Sequence, residues 1–195
     1  MQAALLIPEL GHLAMILALC LALVQSTLPL YGAWRGDRLW MRLAVPAAHG
    51  QFWMLLFAFA CLTWAFVTDD FSVAYVASNS NSALPWYYKF SAVWGSHEGS
   101  LLLWTLILGG WTLAVSIFSK QLPEVMLARV LAVMGIISVG FLLFMIVTSS
   151  PFDRLLPNAP VDGRDLNPLL QDIGLIVHPP MLYMGYVGFS ICFAF

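Results

Sequence analysis

A histidine followed by two prolines at the start of an apolar run is the feature of this chain that most suggests chemistry. Each proline lacks an N–H and pushes the preceding residue toward an extended conformation, so His178 is predicted to stand just outside a helix that begins near Pro180. Neutral imidazole is the commonest metal ligand among side chains. The motif therefore indicates either a metal-binding imidazole at the mouth of a helix or a boundary histidine that only caps it.

A segment rich in glycine and serine and bounded by two tryptophans, residues 94–104, is the second candidate. Its small residues allow backbone or a flat ligand to approach closely, and a serine in it is expected to cap the following helix. Glu98 complements the dipole at that helix N-terminus. Trp94 and Trp104 are interpreted either as anchors at the membrane interface or as a stacking surface for a macrocycle.

The other histidines and the cysteines carry weaker expectations. A polar residue at the edge of an apolar span needs no function, which applies to His12 and His97, and nothing around His49 matches a ligand motif. The cysteines lie within apolar spans without C-x-x-C or zinc spacing and are interpreted as small packing residues: Cys20, Cys61 and Cys192.

The composition defines the class of protein that must position these residues. Hydrophobic residues make up 61% of the chain, charged residues 9%, and the mean hydropathy is +0.86. Soluble proteins average about 25% charged residues. The chain is therefore predicted to be an integral membrane protein surrounded by lipid, and no nucleic-acid partner is expected.

Four apolar runs are long enough to cross a hydrocarbon core, which needs about 20 helical residues. They cover residues 10–30, 45–67, 100–118 and 126–148. A fifth run covers only residues 181–195 and reaches about 22 Å at 1.5 Å per residue. The predicted fold is an all-α, polytopic membrane bundle with four complete spans and a truncated fifth, a single membrane domain over residues 1–195 that forms the N-terminal part of a larger protein.

Basic residues orient the loops. Five Lys or Arg residues flank the short first and third connections, against three in the long loops 68–99 and 149–180. The five are Arg35, Arg38, Arg42, Lys120 and Arg129, and the three are Lys89, Arg154 and Arg164. Because basic residues favour the cytoplasmic side, the N-terminus and both long loops are predicted to lie outside the cytoplasm.

The second long loop contains its own positioning signals. Asn167-Pro168 is typical of a helix start, with an N-cap followed by proline at the first helical position. The short apolar stretch 169–177 is predicted to be a helix in the outer interface that delivers His178 to a fixed place. The alternative is an acidic, turn-rich connection with no ligand.

Three segments together resemble the N-terminal part of the CcmF family, the heme lyase subunits of cytochrome c maturation, and the resemblance covers essentially the whole chain. NrfE, a paralogue in nitrite reductase assembly, is very similar, so both remain open. The segments are Trp94-Gly95-x-x-Glu98-Gly99-Ser100-Leu101-Leu102-Leu103-Trp104, Asp162-Gly163-Arg164-Asp165-Leu166-Asn167-Pro168-Leu169-Leu170-Gln171, and His178-Pro179-Pro180-Met181-Leu182-Tyr183.

The resemblance implies a bacterial inner-membrane protein that receives heme b as a transient substrate on the periplasmic face. It implies that His178 is an axial ligand of the heme iron. The residues implied to line or brace the heme cleft are Trp94, Glu98, Trp104, Pro179, Pro180 and Tyr183. Histidines that would hold a resident heme lie beyond Phe195 in the family pattern, so this piece alone is not expected to be an active lyase.

The implied partners are the heme chaperone CcmE, apocytochrome c, a thiol-handling subunit of the CcmH type, and the remaining C-terminal part of CcmF. In this reaction two thioethers form between the heme vinyls and the thiols of a C-x-x-C-H segment. The alternative function is a heme-free membrane scaffold or transporter subunit. A transporter is expected to place ionisable residues within its spans, and only His49 qualifies here.

Overall fold

The computed structural model describes residues 6–119 and 121–195. Lys120, one of the basic residues used above to orient the loops, therefore lies outside the described residues. Helices account for most of these residues, and the described ranges contain no β-strand beyond one isolated bridge between Val73 and Arg154. The helices are α1 Ile7–Arg35, α2 Arg38–Arg42, α3 Ala44–Val67, α4 Ala74–Asn79, α5 Trp86–Ala92, α6 His97–Phe118, α7 Glu124–Thr148 and α8 Ile173–Ala194, with a 3-10 turn at Pro168–Gln171. The all-α prediction is confirmed.

Five helical segments in the described part of the chain are long and apolar enough to cross a membrane, which confirms an integral membrane protein. Four of them are α1, α6, α7 and α8, and the fifth joins α2 to α3 over Arg38–Val67. Small residues let the α1 backbone approach its neighbours closely, as is common in membrane bundles. On α7, a Cβ added to Gly135 would lie 3.1 Å from the backbone nitrogen of Ser26 in α1.

Ion pairs at the two ends of the bundle show how the helices alternate. At one end, Arg154 after α7 lies 3.3 Å from Glu9 at the start of α1. At the other end, Arg42 in α2 lies 3.1 Å from Glu124 at the start of α7. The two long loops therefore share one end of the bundle, as predicted, whereas the membrane side that this end faces stays a prediction.

The two long loops form one joined layer over that end. Backbone N–H groups of one loop donate to carbonyl oxygens of the other, from Ala74 to Asp153, from Leu155 to Ser72 and from Arg164 to Ala77, each at 2.8 Å. The first loop is also more ordered than the sequence indicated, because it contains α4 and α5. This layer supports the turn that leads into α6.

The predicted start of the fifth span is wrong. Helix α8 begins at Ile173 and contains His178, Pro179 and Pro180, so the histidine is a helical residue and not an extended one outside the helix. With 22 residues, α8 spans about 33 Å at 1.5 Å per residue, whereas the predicted fifth run covered only residues 181–195. The separate helix predicted over 169–177 is replaced by the 3-10 turn and the first turn of α8.

Two side-chain caps account for part of this difference. Asn167 accepts a hydrogen bond from the Leu169 N–H at 3.1 Å, which confirms the predicted cap beside Pro168, but the helix it starts is only a 3-10 turn. Asp172 then caps α8 by accepting from the N–H groups of Gly174 and Leu175, at 2.8 and 3.3 Å. An aspartate at this position offsets unpaired N–H groups of the first turn.

Candidate functional site

His178 is the sixth residue of α8, and its side chain is exposed. Helix α8 meets the rest of the bundle along a face that includes Ile176, Tyr183 and Val187, of which Val187 is buried. At about 100° per residue, His178 points about 180° away from Val187 and about 200° away from Ile176. The imidazole therefore lies on the face of α8 that points away from α6.

A tryptophan from the second motif compensates for the prolines next to His178. Pro180 has no N–H, so the carbonyl of Ile176, four residues earlier, has no helical donor. The indole N–H of Trp94 donates to that Ile176 oxygen at 3.0 Å. Donors from neighbouring helices are what make proline tolerable inside a membrane helix. Trp94 thus braces α8 two residues before His178.

Further aromatic contacts between α6 and α8 lie closer to the other end of the bundle. The Trp104 ring lies 5.7 Å from the Tyr183 ring of α8 and 5.1 Å from the Phe141 ring of α7, with edge-on geometry in both pairs. About two turns further along α6, the Trp111 indole N–H donates to the Met184 carbonyl at 3.1 Å. Since these contacts use the α6-facing side of α8, they brace the helix from the side opposite His178.

A cavity of about 290 Å³ opens between the start of α6 and Tyr183 of α8. It is lined by Ser96, His97, Ser100, Leu101, Trp104 and Tyr183. The Trp104 indole nitrogen is buried and finds no hydrogen-bond acceptor among the described residues. The structure thus brings Trp104 and Tyr183 together in one cavity wall.

The remaining predicted residues take simpler places. Glu98 lies in the first turn of α6, where a carboxylate complements the helix dipole. Ser96 is the N-cap residue of α6, but its side chain makes no cap bond, so the serine cap expected there is absent. Ser100 instead donates its hydroxyl to the Trp94 carbonyl at 2.8 Å, which ties the turn to the helix.

The other histidines have local partners or exposed positions. Nε2 of His49 lies 2.9 Å from the Ser116 hydroxyl, and Nδ1 of His12 lies 3.5 Å from the Ser150 hydroxyl. The His97 ring packs edge-on against Phe144 at 6.0 Å. Across residues 6–119 and 121–195, no three His, Cys, Asp or Glu side chains gather into a group that could hold a metal ion.

Two residues of the site were missed by the sequence analysis. Asp172 had a signal, because an aspartate directly before an apolar run is a typical N-cap. Tyr75 had none, since it lies in a stretch interpreted as irregular loop. Its buried hydroxyl nevertheless contacts the backbone on both sides of Trp94.

A match between the sequence and a known protein family shows to which family the chain belongs. The model of the family described as cytochrome C assembly protein matches residues 94–195, a range that holds both Trp94 and His178. The chain belongs to this family. The match begins at the tryptophan that braces α8 and covers every residue of the candidate site except Tyr75. The resemblance seen in the sequence is thereby confirmed.

The relatives of this chain carry consistent names. It is 83% identical to the cytochrome c-type biogenesis protein CcmF of Pseudomonas aeruginosa and 57% identical to CcmF of Escherichia coli, each over 97% of this chain and 29% of the relative. Identity to NrfE of Haemophilus influenzae is 40%, over 97% of this chain and 30% of the relative. The chain thus spans less than a third of these relatives.

A solved structure shares the fold of this chain. The structure named cytochrome c heme lyase CcmF superposes with a TM-score of 0.81 at 33% identity, covering 96% of this chain and 29% of that chain. The helical bundle described above is therefore the arrangement found in that relative. The alternative of a transporter or heme-free scaffold is not favoured by these relatives.

Proposed function

We propose that this chain forms one wall of the site that receives heme during cytochrome c maturation, with His178 as an axial ligand of the heme iron. The observation that carries the proposal is the position of His178: an exposed imidazole on a helix whose opposite face is fixed to the bundle. An imidazole is a common axial ligand for heme iron. A fixed helix would hold it at one distance from an incoming macrocycle.

The surroundings of His178 suit a flat, largely apolar ligand. Gly174 lies four residues before it and Gly185 seven residues after it, which puts both on the same face of α8. A Cβ added to Gly185 would meet nothing within 4 Å. Met181, three residues after His178, is 62% exposed on this side. The face thus combines one nitrogen ligand, open space and an apolar side chain.

The other predicted residues act in this proposal as braces. Trp94 supplies the donor that Pro180 removes, and Trp104 and Tyr183 hold α8 against α6. Pro179 and Pro180 would stiffen the backbone just after the ligand. Because these contacts lie on the α6 side, we propose that they set the position of His178 and do not line the heme face. Glu98 contributes only through the α6 terminus.

The chemistry proposed for the whole assembly is thioether formation. A cysteine S–H adds across a heme vinyl C=C, so that one S–C and one C–H bond form while the S–H bond and the π bond break. Nothing is oxidised or reduced in that addition. The role of this chain would be to hold heme b while apocytochrome c presents its thiols, with CcmE as heme donor, a CcmH-type subunit handling the thiols and the C-terminal part of CcmF completing the site.

The loop layer at the His178 end is proposed to face the periplasm of a bacterial inner membrane. The bias of Lys and Arg toward the opposite end supports this orientation. Apocytochrome c would then reach the site from the periplasmic side.

The test uses the complete maturation assembly with His178→Ala, and His97→Ala as the matched control because His97 begins α6 at the same end of the bundle. Heme absorbance of the purified assembly and the yield of mature cytochrome c are recorded for each. We expect both to fall for His178→Ala and to stay near the parent values for His97→Ala. Unchanged heme content with unchanged cytochrome yield in His178→Ala would refute the ligand assignment.

A further inference from the structure

Tyr75 lies at the junction between the loop layer and the start of α6. It belongs to the short helix α4, is 4% exposed, and packs edge-on against Phe66 of α3 with ring centroids 5.3 Å apart. Burial raises the pKa of the Tyr75 hydroxyl well above its ordinary value. The hydroxyl therefore stays protonated and can donate and accept a hydrogen bond at the same time.

The Tyr75 hydroxyl bonds to the chain on both sides of Trp94. It accepts from the Ser96 N–H at 3.1 Å and lies 3.1 Å from the Val93 carbonyl, to which it donates. The carbonyls of Ala92 and Ser96 are further, both at 3.4 Å. One hydroxyl thus connects the residues immediately before and after the pair Trp94-Gly95.

Neighbouring groups hold the same turn from its other sides. A Cβ on Gly99 would lie 2.7 Å from the Tyr75 hydroxyl oxygen and far too close to the Val93 carbonyl, so only glycine lets α6 approach this turn. Gly95 packs under Leu166 and Leu170 of the second loop, which would lie 3.1 and 3.2 Å from an added Cβ. The turn has little room to shift.

We propose that Tyr75 is a positioning residue for His178, because its hydroxyl fixes the turn from which Trp94 reaches the Ile176 carbonyl of α8. The connection runs from Tyr75 to the turn, from the Trp94 indole to Ile176, and along one half-turn of helix to His178. The inference rests on the proposed function only in the experiment that measures heme binding. The effect of Tyr75 on Trp94 can be measured without heme.

The variant Tyr75→Phe removes the hydroxyl and keeps the ring that packs on Phe66. Tyr88→Phe is the matched control, because Tyr88 lies in the same loop layer and its ring packs against Tyr87 at 4.5 Å. The Tyr88 hydroxyl makes no hydrogen bond to any described residue. A general effect of losing a phenol would appear in both variants.

The first measurement follows Trp94 in the heme-free complete assembly. All tryptophans are replaced by 5-fluorotryptophan, and the Trp94 signal in the fluorine NMR spectrum is assigned through Trp94→Phe. We expect Tyr75→Phe to shift or broaden that signal and Tyr88→Phe to leave it in place. A Trp94 signal that is unchanged in Tyr75→Phe would overturn the proposal.

The second measurement is a double-mutant cycle on heme binding in the complete assembly, read as the heme dissociation constant and the low-spin ferric electron paramagnetic resonance spectrum. We expect Tyr75→Phe to raise the dissociation constant about three- to tenfold, the scale of one hydrogen bond. The double variant Tyr75→Phe/Trp94→Phe should bind no more weakly than Trp94→Phe alone. Fully additive effects would overturn the proposal, because Tyr75 would then not act through Trp94.

The two measurements separate the proposals. If His178→Ala leaves heme binding unchanged while Tyr75→Phe still moves the Trp94 signal, the proposed heme ligand fails and Tyr75 remains a positioning residue of α8. If His178→Ala abolishes heme binding while Tyr75→Phe changes neither readout, the ligand assignment stands and the positioning role fails.

Discussion

The indole N–H of Trp94 donates to the carbonyl oxygen of Ile176 at 3.0 Å, and this is the carbonyl that Pro180 leaves without a helical partner. The two residues are 82 positions apart in the chain. This single bond links the tryptophan motif to the His-Pro-Pro motif and explains how two consecutive prolines can lie within α8. It also fixes the helix two residues before the candidate heme ligand.

Trp94→Phe keeps an aromatic ring but removes the donor to Ile176. A carbonyl left unpaired inside a protein costs about 1–3 kcal/mol, so we expect the unfolding free energy to fall by that amount. Thermal or denaturant unfolding in lipid nanodiscs measures it. The control is Trp86→Phe, whose side chain is 72% exposed. Equal stability of the two variants would show that the bond does not brace α8.

Gly99→Ala tests the close approach of α6 to the Val93–Ser96 turn. A Cβ at this position collides with the Val93 carbonyl, and forcing extra volume into a packed site costs about 1–3 kcal/mol. The control is Gly140→Ala in α7, where an added Cβ meets nothing within 4 Å. We expect Gly99→Ala to lower the unfolding midpoint and Gly140→Ala to leave it level or raise it. The reverse order would contradict the described turn.

The pH dependence of the loop layer is predicted from Asp162. Hydrogen bonds from the Ser82 hydroxyl and N–H and from the Gly163 N–H lower the pKa of this carboxyl below its ordinary value of 3.8. A lowered folded-state pKa means that these bonds contribute stability above pH 3.8, and that the contribution is lost as the pH falls through the lower folded value. The junction between the two loops should therefore be insensitive to pH near neutrality.

Ser82→Ala removes the largest of these effects and should raise the pKa of Asp162 toward 3.8. Carbon NMR of the labelled carboxyl between about pH 2 and pH 6 follows the titration. An unchanged Asp162 pKa in Ser82→Ala would mean that the two loops are not joined through this pair.

Lys89→Met tests the ion pair inside the loop layer. The Lys89 ammonium lies 2.6 Å from a carboxylate oxygen of Asp69, and the two side chains are 8% and 28% exposed. Removing one partner of a buried pair costs about 3–5 kcal/mol, and we expect the low end because Asp69 keeps some contact with solvent. The double variant Lys89→Met/Asp69→Asn should recover part of that loss in denaturant unfolding. A Lys89→Met chain as stable as the exposed-site control Arg164→Met would contradict this account.

The spans and their alternation were predictable from the sequence because both depend on local quantities. Apolar length located four spans within a few residues, and the alternation of these spans put both long loops at one end of the bundle. The Asn167 cap was predictable for the same reason, since its Leu169 partner is two residues away.

The start of α8 was mispredicted because the proline rules were given more weight than the local N-cap signal of Asp172. Proline rules describe what a residue does to its own segment, and they gave an extended His178 and a helix beginning near Pro180. The compensating donor comes from Trp94, and the cap at Asp172 lies six residues before the histidine. Tertiary contact therefore overrode a correct local preference.

Only part of the candidate site was predictable from the sequence, for a related reason. His178 and both tryptophans can be recognised in the sequence by their residue types. The face of α8 on which His178 lies, and the face that each tryptophan contacts, depend on where the helix begins. Tyr75 lies 21 positions from Ser96 in a stretch without helical or strand periodicity. Its role follows from the hydrogen bonds of one hydroxyl, which no sequence pattern encodes.

The most direct test of the central claim is chemical rescue of His178→Ala in the complete assembly. Heme absorbance and the ferric low-spin spectrum are recorded with and without added imidazole, alongside His97→Ala. We predict that His178→Ala loses bound heme and that free imidazole restores both the heme and its low-spin spectrum, while His97→Ala needs no rescue. A His178→Ala assembly that binds heme with the parent spectrum in the absence of imidazole would contradict the account.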